Sequence, residues 1–240
     1  MAIRVAINGF GRIGRGYLRA QLNNPNVVVV AVNDLTSPET NAHLLKYDST
    51  QGRLGLPVTI SAEGMTVGDH VIKVLAERDP ANLPWGELDI DVVIESTGRF
   101  TSRDAAAVNI VPSSTGAARA TSLVLEAMKG RLDGTSLRVP IPVGSITDFT
   151  AIVRSTTVDE VNAAFKAAAD GGLKGVLVYT DEPIVSEDIV GTPASCTFDS
   201  KMTLVQRIND EQSLVKIFGW YDNEWGYSNR LVDLTTVVGA

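Results

Sequence analysis

The stretch AINGFGRIGR, residues 6–15, constrains this chain more than any other. It sets Gly9, Gly11 and Gly14 in G-x-G-x-x-G spacing, directly after the apolar run Ile3 to Ile7 and directly before a helical stretch from about Arg12 to Asn23. Each glycine answers a separate steric demand. Gly9 permits a tight turn, Gly11 lets the backbone approach a pyrophosphate, and Gly14 allows a helix to pack closely on a strand. Arg12 and Ile13 fall in the first helical turn, where backbone N–H groups without intrahelical partners suit an anion. Asp34 closes the second apolar run, VVVVAVND, twenty positions after Gly14. An acid there accepts hydrogen bonds from a ribose hydroxyl and repels a 2′-phosphate, which favours NAD over NADP.

The first hundred residues alternate short apolar runs with helical stretches, the pattern of βαβ units on a parallel sheet. Runs without polar interruption fit strands covered on both faces. Short β-type pieces, PVTI and VIKV, mark an antiparallel excursion between Gly52 and Asp79 before IDVVIESTG, a further buried strand. Beyond Thr101, STGAARATSLVLEAMKG is expected to form one helix stopped by Gly130, and SLRVPIPVGSITDFTAIV is strand-like. Thr157 and Glu160 have capping-box spacing ahead of Val161, Phe165 and Ala168, a one-sided helix expected to end at Gly171 and Gly172. The last twenty residues are expected to end in a helix.

Composition excludes several classes of partner. Net charge is -7, with no run of Lys or Arg, which argues against nucleic acid and against an anionic membrane. The longest uninterrupted β-type apolar run, Val27 to Val32, is far too short to span a bilayer, and the N-terminus lacks a signal-peptide pattern. One cysteine cannot form an internal disulfide or a zinc cluster, so a reducing, cytoplasmic setting is expected and no metal site.

INGFGRIGR, VND, LLKYDSTQG, ERDP, ESTGRF, PSSTGAARA, LRVPIPVGS and WYDNEWGYSNRLVDL occur in an order that resembles the phosphorylating glyceraldehyde-3-phosphate dehydrogenase family. The resemblance implies an α/β chain. A truncated Rossmann-type parallel sheet domain would cover residues 1–104, lacking its last strands. An incomplete α+β catalytic-type domain with a largely antiparallel sheet would cover 105–222, and a C-terminal helix, 223–240, would pack back on the first domain. It implies NAD as cofactor, and a phosphorylated small aldehyde and phosphate as partners. The family reaction, a step of glycolysis, oxidises an aldehyde held on a cysteine, passes hydride to NAD and releases the acyl group to phosphate.

By the same resemblance Gly9, Gly11, Arg12, Ile13, Gly14 and Asp34 match NAD contacts, and Arg78 falls beside the adenine. Ser96, Thr97 and Gly98 match the segment near the nicotinamide, Asn223 the asparagine that holds the carboxamide, with Tyr227 nearby. Thr115 and Gly116 match a phosphate site, and Arg138 matches an arginine that binds substrate phosphate, a task its forked donors suit. The family's homotetramer depends partly on a loop in a segment this chain lacks, so a homo-oligomer is left open.

That segment lies between RFTSRD and NIVPSSTG, and in the family it also carries a Ser-Cys-Thr-Thr-Asn nucleophile and a histidine base. The only cysteine here, Cys196 in GTPASCTFDS, falls instead where the family has a strand, and is read as a structural, partly buried thiol. His43 and His70 are read as structural or surface groups; Glu224, Asp181 and Glu182 as solvated or capping carboxylates; Trp85, Trp220 and Trp225 as packing residues. No catalytic residue is assigned. Three readings stand: an impaired or inactive NAD-binding family member, a non-catalytic NAD-binding or interaction protein, and a deletion product that folds poorly.

Overall fold

A computed structural model describes residues 2–97 and 110–239, which form two compact units. The larger takes in residues 1–98 and 143–240, the smaller 99–142.

The larger unit opens with β1 (Ile3–Asn8), α1 (Arg12–Gln21), β2 (Val27–Asn33) and α2 (Pro38–Lys46). A small hairpin, β3 (Tyr47–Asp48) and β4 (Gly52–Arg53), follows. Next come β5 (Val58–Ser61), β6 (Gly64–Val67), β7 (His70–Leu75) and β8 (Val92–Glu95). Six of these strands make one sheet in the order β5-β6-β7-β2-β1-β8. The pairs β7/β2, β2/β1 and β1/β8 are parallel, while β5/β6 and β6/β7 are antiparallel, the excursion expected between Gly52 and Asp79. From β1 the chain goes to β2 on one side and returns after β7 to β8 on the other. The crevice beyond the carboxyl ends of β1 and β8 is therefore a topological switch point, where open α/β sheets bind ligands. Val5, Ile7, Val29 and Val32 are buried with Tyr17, Leu18, Phe10 and Leu45, so these strands read as continuous apolar runs because they lie inside the core.

In the smaller unit β9 (Val111–Ser114) pairs antiparallel with β10 (Thr135–Arg138), with α3 (Ala117–Val124) between them. The helix expected to reach Gly130 ends at Leu125, and a 3-10 turn at Glu126–Met128 follows. Leu123 and Val124 are 88% and 84% exposed, so no apolar face is buried to carry the helix further.

The larger unit resumes with β11 (Ser145–Arg154), α4 (Val158–Asp170), β12 (Leu177–Thr180), β13 (Cys196–Asp199), β14 (Leu204–Arg207), β15 (Gln212–Tyr221) and α5 (Trp225–Val238). The expected single strand-like run SLRVPIPVGSITDFTAIV is two strands, β10 and β11, divided at the segment holding Pro140 and Pro142, whose rings cannot donate to a ladder. The second sheet orders β11-β15-β13-β12, with β14 also on β15; only β12/β13 is parallel, so this sheet is largely antiparallel. Helix α4 starts at the expected capping box, with Thr157 Oγ1 accepting from Glu160 N and Glu160 Oε2 accepting from Thr157 N. Phe165 of α4 stacks on Phe198 of β13 with ring centroids 4.0 Å apart.

Helix α5 packs along α1. Tyr17 Oη donates to Thr235 Oγ1 at 3.0 Å inside the core, and Asn24 Nδ2 to Thr236 Oγ1 at 3.5 Å. Gly16 lies against Ser228, where a Cβ would meet Ser228 Oγ at 2.6 Å. Contacts that ascend both helices together mean that they run in the same direction. Among the described residues no helix is long and apolar enough to cross a membrane.

Tyr17→Phe removes one buried hydrogen bond while keeping the ring's packing. We predict a loss of about 1 kcal/mol in urea unfolding, a similar loss for Thr235→Val, and a double variant less destabilised than the sum of the two.

Candidate functional site: the carboxyl ends of β1, β2 and β8

Three strand ends are laced by side-chain amides and carboxylates. Asn33, at the end of β2, donates to Asn8 Oδ1 at 2.8 Å and to Glu77 O at 2.9 Å, and accepts from Glu77 N. Asn8, at the end of β1, donates to Glu95 Oε2 at 2.6 Å, and Glu95 accepts at its other oxygen from Thr97 N and Thr97 Oγ1. Partial burial opposes charge on Glu95, but the bonds from Thr97 and Asn8 outweigh it and hold the carboxyl below its ordinary value. Asn8 and Asn33 are both buried, so each amide is committed to this chain of bonds.

The glycine loop rises from β1 above this lattice. Gly9 has φ +94°, and a Cβ there would stand 2.4 Å from Thr97 N. Glycine thus serves two ends at this position, a left-handed turn and contact with the backbone that leaves β8. Ser96 fastens the contact, donating from N to Asn8 O at 2.7 Å and from Oγ to Gly9 O at 2.7 Å. A Cβ on Gly14 would lie 2.3 Å from Gly9 O, which is why α1 can start so close to the strand. At Gly11, by contrast, a Cβ would meet nothing within 4 Å, and φ is -73°. Here the backbone is bare toward open space at the start of α1, whose first turn has no acidic residue and whose Gly11 cap offers no side-chain bond.

Asp34 reaches back to this loop. Its Oδ2 accepts from Phe10 N at 2.7 Å and its Oδ1 from Thr36 N at 2.8 Å. Arg15 holds the next peptide of the loop, donating from Nη1 to Phe10 O at 2.7 Å. Burial pulls the Arg15 guanidinium below its ordinary value, against the pull of the Asp48 and Asp34 carboxylates. An acceptor-only carboxylate with two oxygens retains lone pairs beyond these bonds, so Asp34 can still receive ribose hydroxyls. Bare backbone at Gly11, the N–H groups of α1 and a fixed acid across the loop fit a dinucleotide's pyrophosphate and ribose.

Arg78 is exposed on the turn that Glu77 anchors to Asn33, on the β2 side of the same edge. Asn223 and Tyr227 are exposed around the start of α5, the helix that runs beside α1. Gly98 lies outside the described residues, as does the expected junction between TSRDAAAV and NIVPSSTG. In the smaller unit Thr115 Oγ1 accepts from Ala117 N, and Gly116 caps α3. Arg138 pairs with Val111, at the end of the β9/β10 ribbon away from Thr115. At about 3.3 Å of rise per residue, Arg138 and the Thr115–Gly116 pair therefore lie at opposite ends of the ribbon.

Two features were not anticipated from sequence. Glu224, expected as a solvated or capping carboxylate, makes an ion pair with Arg12 Nη1. Asp222, 1% exposed, accepts from Glu224 N and Trp225 N at one oxygen, and from Gly191 N and Gln51 Nε2 at the other. An acid two to three residues ahead of a helix is a start signal in sequence, but its partners at Gln51 and Gly191 are set by tertiary contact alone.

Cys196 begins β13, and its sulfur lies where a Cβ on Gly219 would approach within 2.5 Å. It packs against the Phe198 cluster, and burial pushes its thiol above the ordinary value. His43 is on α2 with its ring 5.1 Å from that of Tyr47, and His70 opens β7, exposed.

This geometry defines a Rossmann-type nucleotide-binding α/β protein. A family model for the glyceraldehyde 3-phosphate dehydrogenase NAD binding domain matches residues 3–103, and one for that enzyme's C-terminal domain matches 89–223. The chain is 44% identical to glyceraldehyde-3-phosphate dehydrogenase 2 of Streptomyces avermitilis over 336 aligned positions, covering 100% of this chain and 99% of that protein. It is 44% identical to glyceraldehyde-3-phosphate dehydrogenase of Streptomyces coelicolor over 337 positions, and 38% identical to that of Geobacillus stearothermophilus over 336, with the same coverage. The chain belongs to the glyceraldehyde-3-phosphate dehydrogenase family, and its cofactor is NAD. Since 336 aligned positions take in a chain of 240 residues, part of these relatives has no counterpart here.

The raised thiol of Cys196 carries a pH consequence. A group whose folded pKa is raised contributes stability below its unfolded value and loses it as pH rises through the folded one. Stability should therefore decline as pH climbs past the ordinary thiol range, and Cys196→Ala should flatten that decline in denaturation measured across alkaline pH.

Proposed function

We propose that this chain is an NAD-binding family member that no longer oxidises aldehydes by the family's cysteine route. The observation that carries the binding half is the conjunction at one sheet edge of bare backbone at Gly11, the start of α1 and an Asp34 carboxylate bonded to the glycine loop. Gly9, Gly11, Arg12, Ile13 and Gly14 receive the pyrophosphate in this reading, with Asp34 on the adenosine ribose and Arg78 beside the adenine. Ser96, Thr97, Gly98, Asn223 and Tyr227 border the nicotinamide end. Bound NAD would supply a hydride acceptor. Thr115, Gly116 and Arg138 are the proposed remnants of two phosphate sites, kept from the handling of phosphate and a phosphorylated aldehyde.

The impaired half rests on Cys196. A thiol nucleophile must be deprotonated, which calls for a nearby cation or a helix start. Cys196 has burial working against ionisation and sits on a strand in an apolar cluster. Without a thiolate beside the bound cofactor, binding energy has no hydride-transfer transition state to act on. The cytoplasm is the setting this chemistry would belong to.

Gly11→Ala is the decisive variant, because its methyl costs the free protein nothing in contacts and stands where the pyrophosphate is proposed to lie. Calorimetric titration should show NAD affinity falling by about tenfold or more with an unchanged melting temperature. The unsubstituted protein should form no NADH from a phosphorylated aldehyde and phosphate. Equal affinity in the variant would remove the proposed site; turnover abolished by Cys196→Ser would reverse the assignment of that thiol.

A further inference from the structure

We propose that Glu224 is an internal counter-anion at the pyrophosphate end of the site, which holds Arg12 when no cofactor is bound and weakens the cofactor's diphosphate. This rests on the reading of Arg12 and the α1 start as the pyrophosphate contact.

Helices α1 and α5 run in the same direction, so their positive N-terminal ends lie side by side. Neither first turn contains an acidic residue. Asp222 caps the start of α5, while Glu224, immediately before α5, is turned to Arg12 at the first position of α1. The pair joins residues 212 apart in sequence, so helix packing sets it. The Glu224 backbone is fixed by Asp222, whose carboxylate accepts from Glu224 N at 2.9 Å and is itself tied to Gln51 and Gly191. The Glu224 side chain is 19% exposed and that of Arg12 is 42% exposed. The acid thus sits on the protein side of the pair, and the guanidinium on the solvent side with donors left for a ligand.

A diphosphate arriving at the start of α1 meets Arg12 already neutralised, with a fixed negative charge behind it. It must share the guanidinium with Glu224 or draw it away. Either way the carboxylate opposes the ligand's charge, and the opposition falls on the diphosphate alone. Adenosine, which presents no charge to this end, is indifferent to Glu224. Glu224→Gln keeps the side chain's length and the helix start but removes the charge.

The test is titration of the full chain with ADP-ribose, NAD and adenosine, comparing the unsubstituted protein, Glu224→Gln, Arg12→Gln and the double variant, each checked for an intact fold by circular dichroism. Glu224→Gln should bind ADP-ribose about three- to tenfold more tightly, and NAD, whose cationic nicotinamide the carboxylate attracts, by a smaller factor, with unchanged adenosine affinity, and the gain should shrink as salt is raised. In the Arg12→Gln background the substitution should give a smaller gain, because the shared guanidinium is gone. Unchanged or weaker ADP-ribose binding by a folded Glu224→Gln protein would overturn the proposal while leaving the cofactor site in place. A tightening that extended equally to adenosine would overturn it too, by marking Glu224 as structural. If the unsubstituted protein binds neither ADP-ribose nor NAD, the cofactor reading falls, and this proposal with it.

Discussion

The rest of the site depends on one close approach, that of Gly9 to the backbone of Ser96 and Thr97. No side chain fits between them, and the two loops leave adjacent parallel strands in the same direction. Once they touch, Ser96 bridges to Gly9 and Asn8, Thr97 turns back on Glu95, and Glu95 takes the amide of Asn8. The glycine loop is therefore held from below by a polar lattice and from its two flanks by Asp34 and Arg15. Preorganisation of this kind leaves a ligand little loop entropy to offset on binding.

The second constraint is the seating of α5 along α1. It places the Asn223–Tyr227 stretch, more than two hundred residues away in sequence, beside the start of the first helix. Asp222 is the joint. One buried carboxylate caps the start of α5 with one oxygen and binds the loops at Gln51 and Gly191 with the other, so it joins a local role to a tertiary one. Removing it would leave four partly buried N–H donors without this partner, a cost larger than any one of those bonds contributes.

Much of this was legible in the sequence for physical reasons that can be named. Strands β1 and β2 read correctly because burial on both faces leaves an uninterrupted apolar run. The glycine loop read correctly because steric demands at Gly9 and Gly14 admit one residue type. The start of α4 was visible because a capping box is local, spanning Thr157 to Glu160. What was hidden was long-range or depended on burial. The pairing of Glu224 with Arg12 and the several partners of Asp222 carry no periodic signal. The early end of α3 reflects a missing packing surface, which a good helix-forming composition around Leu123 does not report. The Ser-Cys-Thr triplet at Cys196 resembles a nucleophile only in composition; the strand under it and the apolar cluster around it make it a packing residue.

Family membership and local geometry converge on a chain that keeps its dinucleotide edge while part of its relatives' chain has no counterpart in it. The central claim is that NAD lies across the carboxyl ends of β1, β2 and β8. The most direct measurement is amide chemical-shift mapping of the isotopically labelled protein during titration with NAD. The account predicts saturable shifts concentrated at Phe10 to Ile13, Asp34 to Thr36 and Ser96 to Thr97. Saturable shifts concentrated elsewhere, or none at millimolar cofactor, would contradict it.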